Sequence, residues 1–108
     1  MKSEIAVDAL SALANEHRLA VFRMLVQAGS EGRPAGAIAD ALDVPASSLS
    51  FHLAHLTRAG LIIQRRESRS LIYSADFDVM NDLVGFLTEN CCGGASCAPA
   101  AHKRHKTS

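Results

Sequence analysis

The stretch Pro45-Ala46-Ser47-Ser48-Leu49-Ser50-Phe51-His52-Leu53-Ala54-His55-Leu56-Thr57-Arg58-Ala59-Gly60 decides the fold. Leu49, Leu53 and Leu56 recur at helical spacing in an otherwise polar run, which predicts a helix from about Ala46 to Ala59 with a narrow inward stripe. Gly60 stops it. Immediately upstream, Asp43-Val44-Pro45 breaks the chain tightly after a helix that carries Ile38 and Leu42. Pro34 is well placed in the first turn of that helix, and Ala35, Ala37, Ala39 and Ala41 permit close helix contact. Helix, tight turn, helix, with the second helix polar away from its leucines, is a helix-turn-helix arrangement. Ser47, Ser48, Ser50, Phe51, His52 and His55 are then the side chains left to face outward. Serine and histidine can hydrogen-bond phosphates or base edges, and Phe51 can meet a thymine methyl group.

Downstream of Gly60 the period changes. Leu61-Ile62-Ile63-Gln64-Arg65-Arg66 and Ser70-Leu71-Ile72-Tyr73-Ser74 are strand-like and flank the polar turn Glu67-Ser68-Arg69. Arg65, Arg66 and Arg69 on such a hairpin can lie along a nucleic-acid backbone. Charge agrees with that placement. The chain is neutral overall, with 11 basic and 11 acidic residues, yet residues 45–75 hold four of the basic and one of the acidic side chains. Two blander readings stand beside this one: helix-turn-helix geometry also occurs in structural α-proteins, and a basic hairpin is often only solvated.

Upstream, residues 4–13 put Ile5, Ala9, Leu10 and Leu13 on one side of a short amphipathic helix. Asn15 is placed to cap a second helix, in which Leu19, Phe22, Met24, Leu25 and Val26 are apolar nearly all round, as in a mostly buried helix. Gly29 to Gly32 ends it. Asp76 and Asp78 open a last helix, where acids suit the N-terminal dipole. Its apolar residues, Val79, Met80, Leu83, Val84, Phe86 and Leu87, form two neighbouring stripes. One stripe suffices for packing within the domain. The second wants a second copy of the chain, and Leu83 and Phe86 are the expected interface residues.

At 108 residues this is one small domain, marginal unless it oligomerises. Apolar residues make up 48% and aromatics 5%, so the core must be aliphatic. No apolar run approaches the roughly 20 residues that span a bilayer, and Met1-Lys2-Ser3-Glu4 does not open a signal peptide. A cytoplasmic protein with reduced thiols, with no membrane partner, is expected.

Ile38-Ala39-Asp40-Ala41-Leu42, Pro45 through Leu53, and Leu56-Thr57-Arg58-Ala59-Gly60-Leu61-Ile62 together resemble the ArsR/SmtB family of winged-helix repressors. Arg65-Arg66-Glu67-Ser68-Arg69-Ser70-Leu71-Ile72-Tyr73 is similar to the family's wing, and Ala12 through Leu19 to its second-helix entry. The resemblance covers about residues 5–90. It implies a mainly α winged helix-turn-helix in the order helix, helix, helix, helix, strand, strand, helix. It also implies a homodimer built on the first and last helices, binding double-stranded operator DNA of two-fold symmetry and releasing it when an inducer binds. Residues 1–90 form the DNA-binding and dimerisation domain on this reading, and residues 91–108 a cysteine-containing segment with a flexible basic tail.

That segment holds all three cysteines, Cys91, Cys92 and Cys97, within seven positions. Gly93 and Gly94 let the backbone fold back, so three sulfurs can converge on a soft, thiophilic ion. Arsenic(III) and antimony(III) favour three soft ligands in a pyramid. Zinc or cadmium wants a fourth ligand, for which only His102 or His105 is near in sequence. A redox switch would pair Cys92 with Cys97, since adjacent cysteines make a strained disulfide. Placement at a helix C-terminus disfavours thiolates and argues against a peroxide-reactive thiol. Small hydrophobic residues at a helix end are the plainest reading, but adjacent glycines make a poor core.

Two sites known in the resembling family are missing here: Pro34 to Asp43 contains no cysteine, and Asp76 to Asn90 no histidine. The resemblance points instead to arsenic-responsive repressors with a cysteine pair and a third cysteine after the last helix. It implies arsenite, methylarsenite or antimonite as inducer at Cys91, Cys92 and Cys97. An enzyme is not expected. His17, His52 and His55 fall on the second and fourth helices, and no pocket-forming segment remains to pair a histidine with a cysteine nucleophile.

Overall fold

Asn15 sets the first corner of the chain. Its side chain accepts hydrogen bonds from the backbone N–H groups of His17 and Arg18 at 2.9 and 3.1 Å, which ends the run of helix α1 (Ser3–Leu13) and starts α2 (Glu16–Ala28). The computed structural model describes residues 1–94. After α2 come a 3₁₀ turn (Gly29–Glu31), strand β1 (Arg33–Pro34), helices α3 (Ala35–Leu42) and α4 (Ala46–Arg58), strands β2 (Ile62–Glu67) and β3 (Ser70–Ala75), and helix α5 (Phe77–Leu87). Asp76 caps α5 by accepting from the Val79 N–H at 3.2 Å. The expected winged helix-turn-helix, mainly helical with a small antiparallel sheet, is the fold observed.

The sheet holds one strand more than expected, in the order β1-β3-β2. Arg33 pairs with Tyr73 and Pro34 with Ile72. Pro34 therefore precedes α3 in an extended conformation rather than sitting in its first turn. Lacking an N–H, it fits an edge strand. Gly32 allows the approach: its φ is +70°, and a Cβ there would collide with the Tyr73 carbonyl oxygen.

The core is aliphatic, built on Val21 and Leu25 of α2, Ile38 of α3, Leu49 and Leu56 of α4, and Leu61 and Ile62 at the start of the wing. Two expected faces differ. In α1 the buried stripe is Ala6, Ala9 and Ala12, whose small side chains let the helix lie close against its neighbours, while Ile5 and Leu10 are exposed. In α2, Leu19 reaches solvent, so that helix is buried on one side and not all round.

Candidate nucleic-acid interface

Two helix ends aim α4. At the first, Asp43 adopts a left-handed conformation (φ 54°), and the Val44 N–H donates back to the Ala39 carbonyl at 3.1 Å. This closes α3 and turns the chain into Pro45. At the other end the Gly60 N–H donates to Thr57 at 3.0 Å and the Leu61 N–H to Leu56 at 3.1 Å. That is a Schellman motif, and its hydrophobic contact is supplied by Leu56 and Leu61, both fully buried. The helix is thus fixed at both ends by residues that lie in the core or next to it.

Opposite Leu49, Leu53 and Leu56, the helical period places Ser47, Phe51, Ala54 and Arg58 on the crest, and all four are exposed. Ser50 lies to one side, where it lines an open groove of about 320 Å³ with Thr57, Arg58, Gln64 and Tyr73 between α4 and the wing. Ser48, His52 and His55 lie on the other flank and are half-buried. The His52 ring packs against that of His17, with centroids 5.5 Å apart and planes tilted by 57°. Its Nδ1 is buried and has no hydrogen-bond partner among the described residues. Burial lowers the His52 pKa from the ordinary histidine value, and the nearby charges of Arg18, His17 and His55 lower it further. His55 lines a cleft of about 200 Å³ with Asp8, Ser11 and Arg58. Both histidines therefore sit where α4 meets α1 and α2, off the crest expected from sequence. Arg58 is the crest residue that sequence reasoning missed, although its position two turns after Phe51 was a usable signal.

The wing divides its arginines. The Arg65 guanidinium is occupied: Nε donates to Glu67 Oε2 at 2.9 Å, Nη1 to the Ser30 carbonyl at 3.1 Å and Nη2 to the Glu31 carbonyl at 2.9 Å. It ties the wing to the turn after α2 rather than reaching outward. Arg66 alternates to the opposite face, the one where Gln64 and Tyr73 border the α4 groove, and pairs in register with Leu71. Arg69 sits at the hairpin tip beside Ser68, which has a positive φ of 56°. The side chains of Arg66 and Arg69 are exposed and make no hydrogen bond or ion pair among the described residues. Arg58 borders the groove in front of α4, Arg66 lies on the wing face that borders the same groove, and Arg69 is an exposed cation at the wing tip. Phosphates attract such a set, and the outward polar crest can enter a major groove.

Beyond α5 the chain makes a separate turn, Cys91–Gly94, in which Cys92 and Gly93 have left-handed backbone (φ 58° and 65°). The Cys91 N–H donates to the Thr88 carbonyl at 2.9 Å, and the Sγ atoms of Cys91 and Cys92 lie 3.6 Å apart. Cys91 is disulfide-bonded, and Cys97 lies outside the described residues. The helix-dipole argument against a reactive thiol does not carry over, because α5 ends at Leu87 and the dipole acts within its last turn. Among the described residues, no group of three His, Cys, Asp or Glu is arranged to hold a metal ion, and no helix is long and apolar enough to cross a membrane.

The two stripes of α5 also separate. Val79, Leu83 and Phe86 point inward, with Leu83 only 6% exposed, whereas Val84 and Leu87 are 54% and 58% exposed. The expected interface pair Leu83 and Phe86 belongs to the packed stripe. On α1, a helix in contact with α5, Val7 and Leu10 are exposed as well.

A family model described as a helix-turn-helix domain matches residues 13–65. Nodulation protein NolR of Rhizobium meliloti is 34% identical over 87 residues, 81% of this chain and 69% of that protein. A Halobacterium salinarum protein named for repression of an arsenical resistance operon is 41% identical over 66 residues, 61% of this chain and 50% of that one. Among solved structures, HlyU from Vibrio cholerae superposes with a TM-score of 0.65 at 32% identity, over 85% of this chain and 99% of that one. A homodimeric winged helix-turn-helix DNA-binding domain from Mycobacterium bovis does so at 0.67 with 25% identity, over 97% and 89%.

Proposed function

Because the chain belongs to the ArsR/SmtB-like family of winged-helix transcriptional regulators, we propose that it is a homodimeric repressor which trivalent arsenic releases from its operator. DNA binding and transcriptional regulation come with the family, and with them the absence of enzymatic chemistry. The inducer is the further step.

One observation carries it: the Cys91 and Cys92 sulfurs are 3.6 Å apart in a left-handed turn directly after α5. Two sulfurs each about 2.3 Å from one ion, at 90–110° to each other, lie roughly 3.3–3.8 Å apart. Once Cys91, which is disulfide-bonded in the structure, is reduced, that spacing suits two corners of a pyramid, and Cys97 supplies the third. Arsenite, methylarsenite and antimonite share the trivalent, thiophilic chemistry that such a site takes. The Halobacterium salinarum relative, named for an arsenical operon, supports the same reading. The protein acts in the cytoplasm, where thiols stay reduced.

Release follows from position. Drawing Cys97 onto the pair reorganises the chain just past α5, the helix that carries the uncovered Val84 and Leu87. In a two-fold dimer joined through α1 and α5, a change there alters the separation of the two α4 helices, which must match half-sites about 34 Å apart. A coupling of about 1–3 kcal/mol changes operator affinity roughly 5- to 150-fold. The test is a labelled operator duplex titrated at two salt concentrations, then challenged with arsenite, zinc, cadmium and peroxide side by side. Steep salt dependence with release by arsenite at the lowest concentration is expected. Release by zinc or cadmium alone, or by peroxide alone, would replace arsenic with a divalent-metal or a redox input on the same fold.

A further inference from the structure

Phe51 is 78% exposed, more than any other large hydrophobic residue described, and it stands on the crest of α4. The fold does not need it there. The inward stripe of α4 is filled by Leu49, Leu53 and Leu56, and the exposed apolar side chains of α1 and α5 (Val7, Leu10, Val84 and Leu87) lie on other helices. An exposed single leucine or valine needs no explanation, but a nearly naked aromatic ring between polar neighbours does. Along the crest, Ser47 precedes it by one turn and Arg58 follows by two, and both can hydrogen-bond phosphates or base edges. Phe51 can neither donate nor accept. Ala54, one turn on, is small and exposed, which leaves room for a base edge to come against the ring. On the floor of a major groove, the one apolar feature that distinguishes a base pair is the C5-methyl of thymine.

We propose that Phe51 is a specificity-determining residue that selects thymine, through contact with its C5-methyl group, at one position in each operator half-site. The inference rests on the DNA-binding reading and deepens it. It states what this crest recognises at its centre, where the hydrogen-bonding side chains on either side carry no such preference for a methyl group.

The probe is a duplex recovered from a random-sequence pool by repeated binding to the full chain. Each thymine in it is replaced singly by deoxyuridine, which removes one methyl group and leaves every base-pairing atom in place. One buried methyl corresponds to roughly a fourfold loss of affinity, so one thymine per half-site should show that loss and the double replacement roughly fifteenfold. Phe51→Ala should abolish the difference between the thymine and uracil duplexes, and Phe51→Leu should restore most of it. Because the ring is exposed, Phe51→Ala should leave the thermal unfolding midpoint unchanged, which separates lost readout from lost fold. If no thymine responds, or if Phe51→Ala keeps the wild-type ratio at the responsive thymine, the inference is wrong while DNA binding stands. A chain that recovers no duplex and shows no salt-dependent binding would overturn the DNA-binding reading, and this inference with it.

Discussion

Val84→Glu combined with Leu87→Glu should convert the protein from dimer to monomer without unfolding it. Each of these side chains is more than half exposed in the single chain, at 54% and 58%. Full burial of a valine or leucine contributes about 1.5–3 kcal/mol, so covering the exposed part contributes about 1–1.5 kcal/mol per residue. A two-fold interface counts each residue twice, and the pair is therefore worth about 4–6 kcal/mol, or roughly 10³–10⁴ in dimer dissociation constant. Desolvating the introduced carboxylates adds to the loss. Sedimentation velocity at micromolar concentration reads the oligomeric state, and circular dichroism checks that helices remain. Leu83→Ala is the contrasting variant. That side chain is 6% exposed and packs inside its own protomer, so its truncation should cost about 2–5 kcal/mol of folding stability and lower the unfolding midpoint. A double glutamate variant that stays dimeric at micromolar concentration would refute the assignment of this face, whatever else the protein binds.

The wing arginines should behave differently from one another. Arg66→Ala and Arg69→Ala should each lower the slope of log affinity against log salt by about one unit, whereas Arg65→Ala should leave the slope unchanged and loosen the wing in amide exchange. Equal slopes for all three variants would contradict the division seen here. Stability should also fall on acidification. The fold lowers the His52 pKa, so as pH drops below the unfolded value near 6.5 the unfolded chain takes up the proton first. Stability present above that value is lost as pH falls toward the lower folded pKa. His52→Gln should flatten this dependence in denaturant titrations across the same range, and an unchanged profile would remove His52 as its source.

Much of this architecture was readable because single residues dictate it. Asn15 begins a helix because its side chain satisfies two free amides, and Gly60 ends one because the backbone there is left-handed. The leucine stripe of α4 and the two stripes of α5 follow from period alone. What escaped was set by tertiary contact. A strand of two residues, Arg33–Pro34, has no period, and it exists only because Gly32 lets the chain approach Tyr73. The buried face of α1 is written in alanines, which a search for large apolar residues passes over. Arg65 is indistinguishable from Arg66 in sequence, yet the strand alternation sends it to the carbonyls of Ser30 and Glu31, more than thirty residues away in the chain. The histidines of α4 were assigned by polarity to the outer face. His17 and Arg18, from the start of α2, instead make the flank on which His52 sits.

The central claim is that a trivalent metalloid on the three cysteines releases DNA. It is tested most directly by fluorescence anisotropy of a labelled operator duplex, comparing the wild-type chain with the variant carrying Cys91→Ser, Cys92→Ser and Cys97→Ser. Both proteins should bind the duplex equally without inducer, since Cys91 and Cys92 lie past α5 and away from the α4 crest and the wing. Arsenite should then weaken wild-type binding roughly 5- to 150-fold and leave the variant bound. A triple-serine variant that releases the duplex at the same arsenite concentration as wild type would contradict the claim.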